Sequence, residues 1–508
     1  MITETNKDSD RPEEPSNHLK NLALLICLLG LLVRTVQYLN NRSLWNDELN
    51  LVLNIVNRSY LELLQPLDNN QAAPPGFLLV EKLATQLFGE NEYSLRLFSF
   101  IAGIISIFAF YKLANYYASK WVIPIALILF TCLRFTVYYS TEVKQYSSDV
   151  MVALLLSLLL LPLRDQILTR NQILWVGLLG AIAIWFSHPA VFVLAGIELS
   201  HLLLAPVEKR KALILNRLPV YLIWMLSFAY LYVLTIVGTL GNKALTRSWG
   251  ERYPDSLLDI SWLFDSFGRF FYRPLGFLGK TDGVAIAAFI VGCVGYFRRD
   301  RTKLLVLMAP AIVTVIASYL QKYPFRERLV LFLTPFFILV IAEGIVFLFT
   351  QVSYRYRYFK ILGVLVAGLL LLPPLFQSSK LLIYPEGVQE IKVVIEYVKS
   401  HQKPGDILFI DLTARNQFLY YSRRYGYSAN DYILGEADLQ NKKDFSEQDL
   451  ASFKQEITAL KDKPRVWFLL TEPKKSEEAA FLQSVNSLGQ QTDVFRATGA
   501  IAYLYDLR

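Results

Sequence analysis

The chain is a string of apolar runs, most of them about 17 to 25 residues long, separated by short polar connections. A helix needs that length to cross the hydrocarbon of a bilayer. Runs at about 19–39, 94–117, 121–138, 146–163, 172–187, 190–205, 218–240, 284–297, 304–320, 329–349 and 361–376 therefore predict about eleven transmembrane helices. The stretch between the first two runs, 40–92, is patterned differently. Leu49, Val52, Leu53, Val56, Tyr60, Leu63 and Leu64 recur at helical spacing, while Asp47, Asn50, Asn54 and Arg58 line another face, which predicts a helix lying along the interface. Pro74 and Pro75 are placed to start a second helix over 77–88, about half the length of a span.

From Lys380 the pattern turns soluble. Helices are expected at Ile391 to Val398, 415–425 and 477–488, and strands at 406–411, 465–470 and 501–507, an alternation that predicts a small α/β domain with a parallel or mixed sheet. The expected division is a disordered cytoplasmic tail at 1–18, a transmembrane catalytic domain at 19–378 and an extracytoplasmic α/β domain at 379–508. No Gly-rich nucleotide loop opens any helix of the last domain, which is therefore expected to bind or support.

Composition agrees, with 54% hydrophobic and 19% charged residues in 508. The three cysteines, Cys27, Cys132 and Cys293, each lie in an apolar run and imply neither a disulfide frame nor a Cys metal site. The formal charge of +8 sits in alternate connections: Lys112 with Lys120, Arg164 with Arg170, Lys209-Arg210-Lys211 with Arg217, Arg298-Arg299 with Arg301 and Lys303, and Arg355, Arg357 with Lys360. That distribution orients a multi-pass protein in a plasma (bacterial inner) membrane, N-terminus cytoplasmic, and does not point to nucleic acid. Arg34, toward the end of the first run, is expected to snorkel or face a cavity. The long outer connection 241–282 mixes Trp249, Tyr253, Trp262, Phe267, Phe270, Phe271 and Tyr272 with Arg247, Arg252, Arg269 and Arg273, which suits an amphipathic interfacial helix.

The connections assigned to the outer face carry the candidate chemistry. Asp47 and Glu48 follow the first run directly. Carboxylates next to hydrocarbon lose hydration, so they are found facing water or partners, although Asn46 capping a helix whose first turn holds both acids fits equally well. Glu142 with Lys144 beside Tyr146, His188 in Ser187-His188-Pro189, and Arg328 after Arg326-Glu327 share that face. Singly they read as a surface pair, a polar residue at a bend and an interface anchor. Jointly they suit transfer of a sugar from a polyprenyl phosphate, whose anionic leaving group fixed cations stabilise while a carboxylate takes a proton from the acceptor. A single displacement of this kind inverts the anomeric centre. A lipid-linked-sugar flippase or other transporter would show paired broken repeats, and a non-catalytic scaffold would not need the cluster.

Trp45-Asn46-Asp47-Glu48, Gln71-Ala72-Ala73-Pro74-Pro75, Phe88-Gly89-Glu90-Asn91-Glu92-Tyr93-Ser94-Leu95-Arg96-Leu97, Glu142-Val143-Lys144-Gln145-Tyr146, Ser187-His188-Pro189-Ala190 and Arg328 with Pro335 resemble the pattern of glycosyltransferase family 39. These are the protein mannosyltransferase-like and aminoarabinose-transferase-like enzymes of the GT-C fold. Pro404-Gly405-Asp406 and Arg465-Val466-Trp467 are similar to the outer domain of bacterial relatives. The resemblance implies a polyprenyl-phosphate-linked sugar donor, an envelope acceptor (protein, lipid or glycan), and an acid of the first outer loop as base, the position of Asp47 with Glu48 beside it. Arg96, Lys144, Arg328 and Lys82 are then candidates for the donor phosphate, and Glu142, Tyr146 and His188 for substrate contacts. Lys144 stands where relatives carry Arg, a point charge in place of a planar fork. A divalent metal ion near Asp47 is compatible with the acidic pair, but no ligand set in the sequence identifies one.

Overall fold

The structure is a computed structural model and describes residues 17–241, 250, 252–352, 358–437 and 447–508. The tail up to residue 16, Arg247, Trp249, Arg355 and Arg357 lie outside the described residues. The chain divides into two compact units. One takes in the chain up to Asn40 together with Asn54–Pro385, and the other joins Asn41–Leu53 to Glu386–Arg508. Composition alone placed the boundary at 378/379 and left the first loop with the spans. The difference arises because the loop's backbone is hydrogen-bonded to residues some 340 positions later, which leaves no local signal.

The first unit is helical. Among the described residues, eight helices are long and apolar enough to cross a membrane: Asn17–Leu39, Glu92–Tyr117, Tyr146–Leu163, Val207–Ile236, Thr281–Arg299, Arg301–Tyr319, Glu327–Thr350 and Lys360–Leu381. A ninth results if Val122–Cys132 and Arg134–Thr141, bent by 60°, form one span, and Arg170–Phe186 and Ala190–Leu204 are shorter apolar helices. In chain order we label α1 (Asn17–Leu39), α2 (Asn46–Asn57), α3 (Pro75–Phe88), α4 (Glu92–Tyr117), α5 (Val122–Cys132), α6 (Arg134–Tyr138), α7 (Tyr146–Leu160), α8 (Arg170–Phe186), α9 (Ala190–Leu204), α10 (Val207–Leu231), α11 (Ile260–Phe270), α12 (Thr281–Arg299), α13 (Arg301–Tyr319), α14 (Thr334–Phe347) and α15 (Tyr358–Leu381). The two expected juxtamembrane helices are α2 and α3. Pro75 occupies the first position of α3, where its missing N–H costs nothing.

Three details differ from the sequence expectation. Arg34 does not snorkel. It is 1% exposed and donates to the Gly30 carbonyl of its own helix and to the carbonyls of Phe130, Thr131 and Thr136 around the break between α5 and α6, where helical hydrogen bonding is interrupted. Lys209, Arg210 and Lys211 do not form a loop but the first turns of α10, which starts straight after Pro206. Arg210 reaches back to the carbonyls of Leu203 (2.8 Å) and Ala205 (3.1 Å), closing the end of α9. Arg217, expected in the same connection, is buried inside α10. It pairs with Glu198 at 2.9 and 2.7 Å, and the Tyr221 hydroxyl donates to the same carboxylate at 2.8 Å.

Elsewhere the packing depends on small residues. A Cβ on Gly292 of α12 would lie 1.8 Å from the Val340 carbonyl oxygen, and one on Gly344 of α14 would lie 1.8 Å from that of Ala288. The two helices therefore touch backbone to backbone. The amphipathic helix expected within 241–282 is α11. It starts at Asp259, which accepts from the Trp262 N–H, buries Trp262, Ser266 and Phe270, and leaves Ile260 and Phe264 exposed.

The second unit contains a five-stranded mixed sheet of order β2-β1-β3-β5-β4, with β1 (Ile407–Ile410), β2 (Ile433–Leu434), β3 (Val466–Thr471), β4 (Gln490–Ala497) and β5 (Ala500–Asp506). β2, β1 and β3 run parallel, while β5 is antiparallel to both β3 and β4. Helices α16 (Ile391–His401), α17 (Arg415–Ser422), α18 (Glu447–Thr458) and α19 (Lys475–Asn486) alternate with the strands. Asp406 ties the parallel inner strands β1 and β3 together at their start. It accepts from Arg465 at 2.7 Å and from the indole of fully buried Trp467 at 3.1 Å, which accounts for the Pro404-Gly405-Asp406 and Arg465-Val466-Trp467 signatures.

Candidate active site

Within the first unit, α4 and the turn before α7 bring together most of the sequence candidates. Asn91 accepts from the N–H groups of Tyr93 and Ser94, and Ser94 closes the capping box, so α4 starts at a fixed point and holds Arg96 buried in its second turn. Ser99 lies one turn further along the same face and donates to the Lys144 carbonyl at 3.1 Å. The Lys144 ammonium in turn donates to Gln71 at 2.6 Å, and Gln145 donates to the Ala72 carbonyl at 3.4 Å. The Gln71-to-Pro75 signature is thereby docked on the Glu142-to-Tyr146 signature. Glu142, Lys144 and Tyr146 are all buried. The Arg328 guanidinium stacks over the Tyr146 ring at 5.4 Å, and Tyr139, edge-on to Tyr146 at 5.1 Å, has Glu142 and Arg328 as electrostatic neighbours.

Two acids absent from the sequence reading complete this region. Glu81 in α3 is fully buried, lies with Arg96 beside the Tyr38 phenol, and is driven by burial well above the usual carboxylate range. Asp149, almost one turn after Tyr146 in α7, is buried against Ser187 and Tyr323. A single acid inside an apolar run leaves the hydrophobic period intact, and Glu81 was further masked by the adjacent Lys82. His188 follows Ser187. Burial of its ring lowers the imidazole pKa to about 4, so it is neutral at neutral pH and offers hydrogen bonding rather than charge. Lys82 has a different setting: its ammonium donates to the carbonyls of Ile55 (3.0 Å) and Val56 (3.4 Å), near the end of α2, where a cation complements the helix dipole.

In the second unit the turn at 43–46 opens α2. Asp47 is half-buried in its first turn, and Glu48 is fully buried at the third helical position. Glu48 reaches back to the Trp45 N–H at 3.4 Å, the acid's half of a capping box, and lies 3.9 Å from the Arg42 guanidinium. Among the described residues, no group of three or more His, Cys, Asp or Glu side chains is placed to hold a metal ion.

Residues 72–236 match the family model of dolichyl-phosphate-mannose-protein mannosyltransferases, a segment that contains Lys82, Arg96, Glu142, Lys144, Tyr146 and His188. A comparison with curated protein sequences gave no match. Among solved structures, the chain is similar to the archaeal oligosaccharyltransferase AglB from Archaeoglobus fulgidus in complex with an inhibitory peptide and a dolichol-phosphate. The identity is 13% and the TM-score 0.51, over 96% of this chain and 74% of that one. It is likewise similar to ArnT from Cupriavidus metallidurans bound to undecaprenyl phosphate, at 11% identity and a TM-score of 0.51, over 96% of this chain and 98% of that one. The likeness gives the chain the GT-C fold of these structures, and the family match falls on residues 72–236 of it.

Proposed function

We propose that the protein moves a sugar from a polyprenyl-phosphate-linked donor to an envelope acceptor on the extracytoplasmic face, with inversion. The observation that carries this reading is the set of cations in and beside the family-matched region, buried Arg96 and Lys144 and half-buried Arg328 stacked over Tyr146, a setting suited to a lipid phosphate. The relatives solved with dolichol-phosphate and undecaprenyl phosphate support a lipid-linked donor.

In the proposed reaction, an acceptor hydroxyl or amine attacks the anomeric carbon as its bond to the phosphate oxygen breaks. The bonding pair leaves on the polyprenyl phosphate, whose added charge Arg96, Lys144 and Arg328 stabilise. The acceptor's proton passes to Asp47, whose turn Glu48 fixes. Glu142, Tyr146 and neutral His188 orient the sugar and acceptor, and Lys82 supports the site through α2. Mass analysis of polyprenyl-phosphate sugars in cells lacking the protein tests the reading: one lipid-linked sugar should accumulate. An unchanged lipid-linked pool, together with no transfer of label from any undecaprenyl-phosphate hexose or pentose to an envelope fraction, would contradict it.

A further inference from the structure

The backbone of the turn at 43–46 is held by side chains from the C-terminal part of the second unit. The Ser43 N–H and hydroxyl donate to Glu390 at 3.1 and 3.2 Å, and the Ser43 hydroxyl accepts the Lys392 N–H at 3.2 Å. The Leu44 N–H donates to the Tyr421 hydroxyl at 2.9 Å, and the Leu44 carbonyl accepts from Gln417 at 2.7 Å. The Asn46 N–H donates to Gln389 at 2.8 Å, while the other end of that amide donates to Glu472, also at 2.8 Å. A surface turn ordinarily leaves such groups to water. Here Leu44 and Gln417 are 0% exposed, and Tyr421 and Gln389 are buried as well. At the start of α2 the Asn46 N–H is served by Gln389, and the Trp45 N–H by Glu48 of the same helix.

We propose that Gln389, Gln417, Tyr421 and Glu472 are positioning residues for Asp47: the C-terminal domain sets the aim of the acid by clamping the turn that carries it. The inference rests on the reading of Asp47 as the base. A base acts only within hydrogen-bond reach of the proton it takes, and a displacement of about 1 Å can cost about a hundredfold in rate. Glu472 is exposed and two hydrogen bonds removed from α2, so its substitution perturbs the aim without opening the core.

The test uses the full chain in lipid nanodiscs, with transfer measured from whichever labelled undecaprenyl-phosphate hexose or pentose the wild type accepts, and amide hydrogen exchange followed over residues 43–50. Glu472→Ala should lower kcat about five- to tenfold, leave KM for the lipid donor within about twofold, and speed exchange at 43–50. Glu472→Gln, which keeps an oxygen to accept from Gln389, should restore most of the rate. Tyr421→Phe, which removes the hydroxyl that accepts from the Leu44 N–H, should reproduce the kcat loss. Wild-type kcat and exchange in Glu472→Ala and Tyr421→Phe, beside an inactive Asp47→Asn, overturn the proposal alone. Full activity in Asp47→Asn overturns the underlying reading and the proposal with it.

Discussion

Glu48 and Asp47 are adjacent acids with different surroundings. The Glu48 carboxylate is fully buried, within reach of the Trp45 N–H and Arg42. Glu48→Ala should therefore destabilise the protein by about 1 to 2 kcal/mol, as loss of a helix cap does, while Glu48→Gln, which still accepts from Trp45, should cost less than half of that; thermal unfolding of the two variants checks the order. Glu81 makes the opposite case. Burial raises its folded pKa above the unfolded value, so the folded state holds a proton that the unfolded state releases. Its contribution is complete below the unfolded pKa and is lost as pH rises through the folded one. Glu81→Gln should accordingly unfold at a higher temperature than wild type at alkaline pH, with the gap narrowing as pH falls toward 4. Glu81 and Asp149 escaped the sequence reading for a simple reason: one carboxylate among apolar neighbours does not alter a helical period. The cations did not escape. Lys144 and Arg328 were legible because they stand at the ends of runs, where a charge interrupts the pattern, and Arg96 through the family resemblance.

At the level of elements, the apolar helices were legible because an apolar environment forces long uninterrupted runs, and their observed ends fall within a few residues of those expected, apart from α10. Among the described residues eight of them, or nine with the bent pair, are long enough to cross a membrane, where about eleven spans were expected. The breaks were not. The bend between α5 and α6 lies inside one apolar run, and its carbonyls are satisfied by Arg34, about a hundred positions away. Replacing Arg34 by Leu should leave those carbonyls unsatisfied and cost roughly 3 kcal/mol, read as a lowered unfolding midpoint in detergent. The contact between α12 and α14 makes a steeper prediction: Gly344→Leu should prevent recovery of monodisperse protein, since no side chain fits against the Ala288 carbonyl. In the second unit, β1, β3 and β5 were visible as apolar runs. β4 was not, because Gln490–Ala497 is a polar edge strand with only partial burial, and neither was the two-residue β2.

Across the whole molecule, charge and topology give two checks. The orientation drawn from basic connections predicts that a cysteine at exposed Asn430, in a background lacking the native cysteines, reacts with a membrane-impermeant maleimide from outside the cytoplasmic membrane, whereas one at exposed Lys209 does not. Burial pushes the Asp406 carboxyl up, but Arg465, the Lys403 N–H and Trp467 outweigh it and hold it below the ordinary carboxylate range. Its stabilisation is therefore present above the unfolded pKa, near 4, and is lost as pH falls through the lower folded value. Asp406→Asn should lack that acid limb in a plot of unfolding temperature against pH. The grouping of the first loop with the C-terminal domain lay beyond sequence reasoning, since its hydrogen bonds join residues far apart along the chain. The most direct test of the account is single-turnover transfer from a labelled undecaprenyl-phosphate sugar by the wild-type chain and by Asp47→Asn, with donor binding measured in both. Unchanged donor binding with transfer at least about a hundredfold slower is the predicted result, and transfer at the wild-type rate would contradict it.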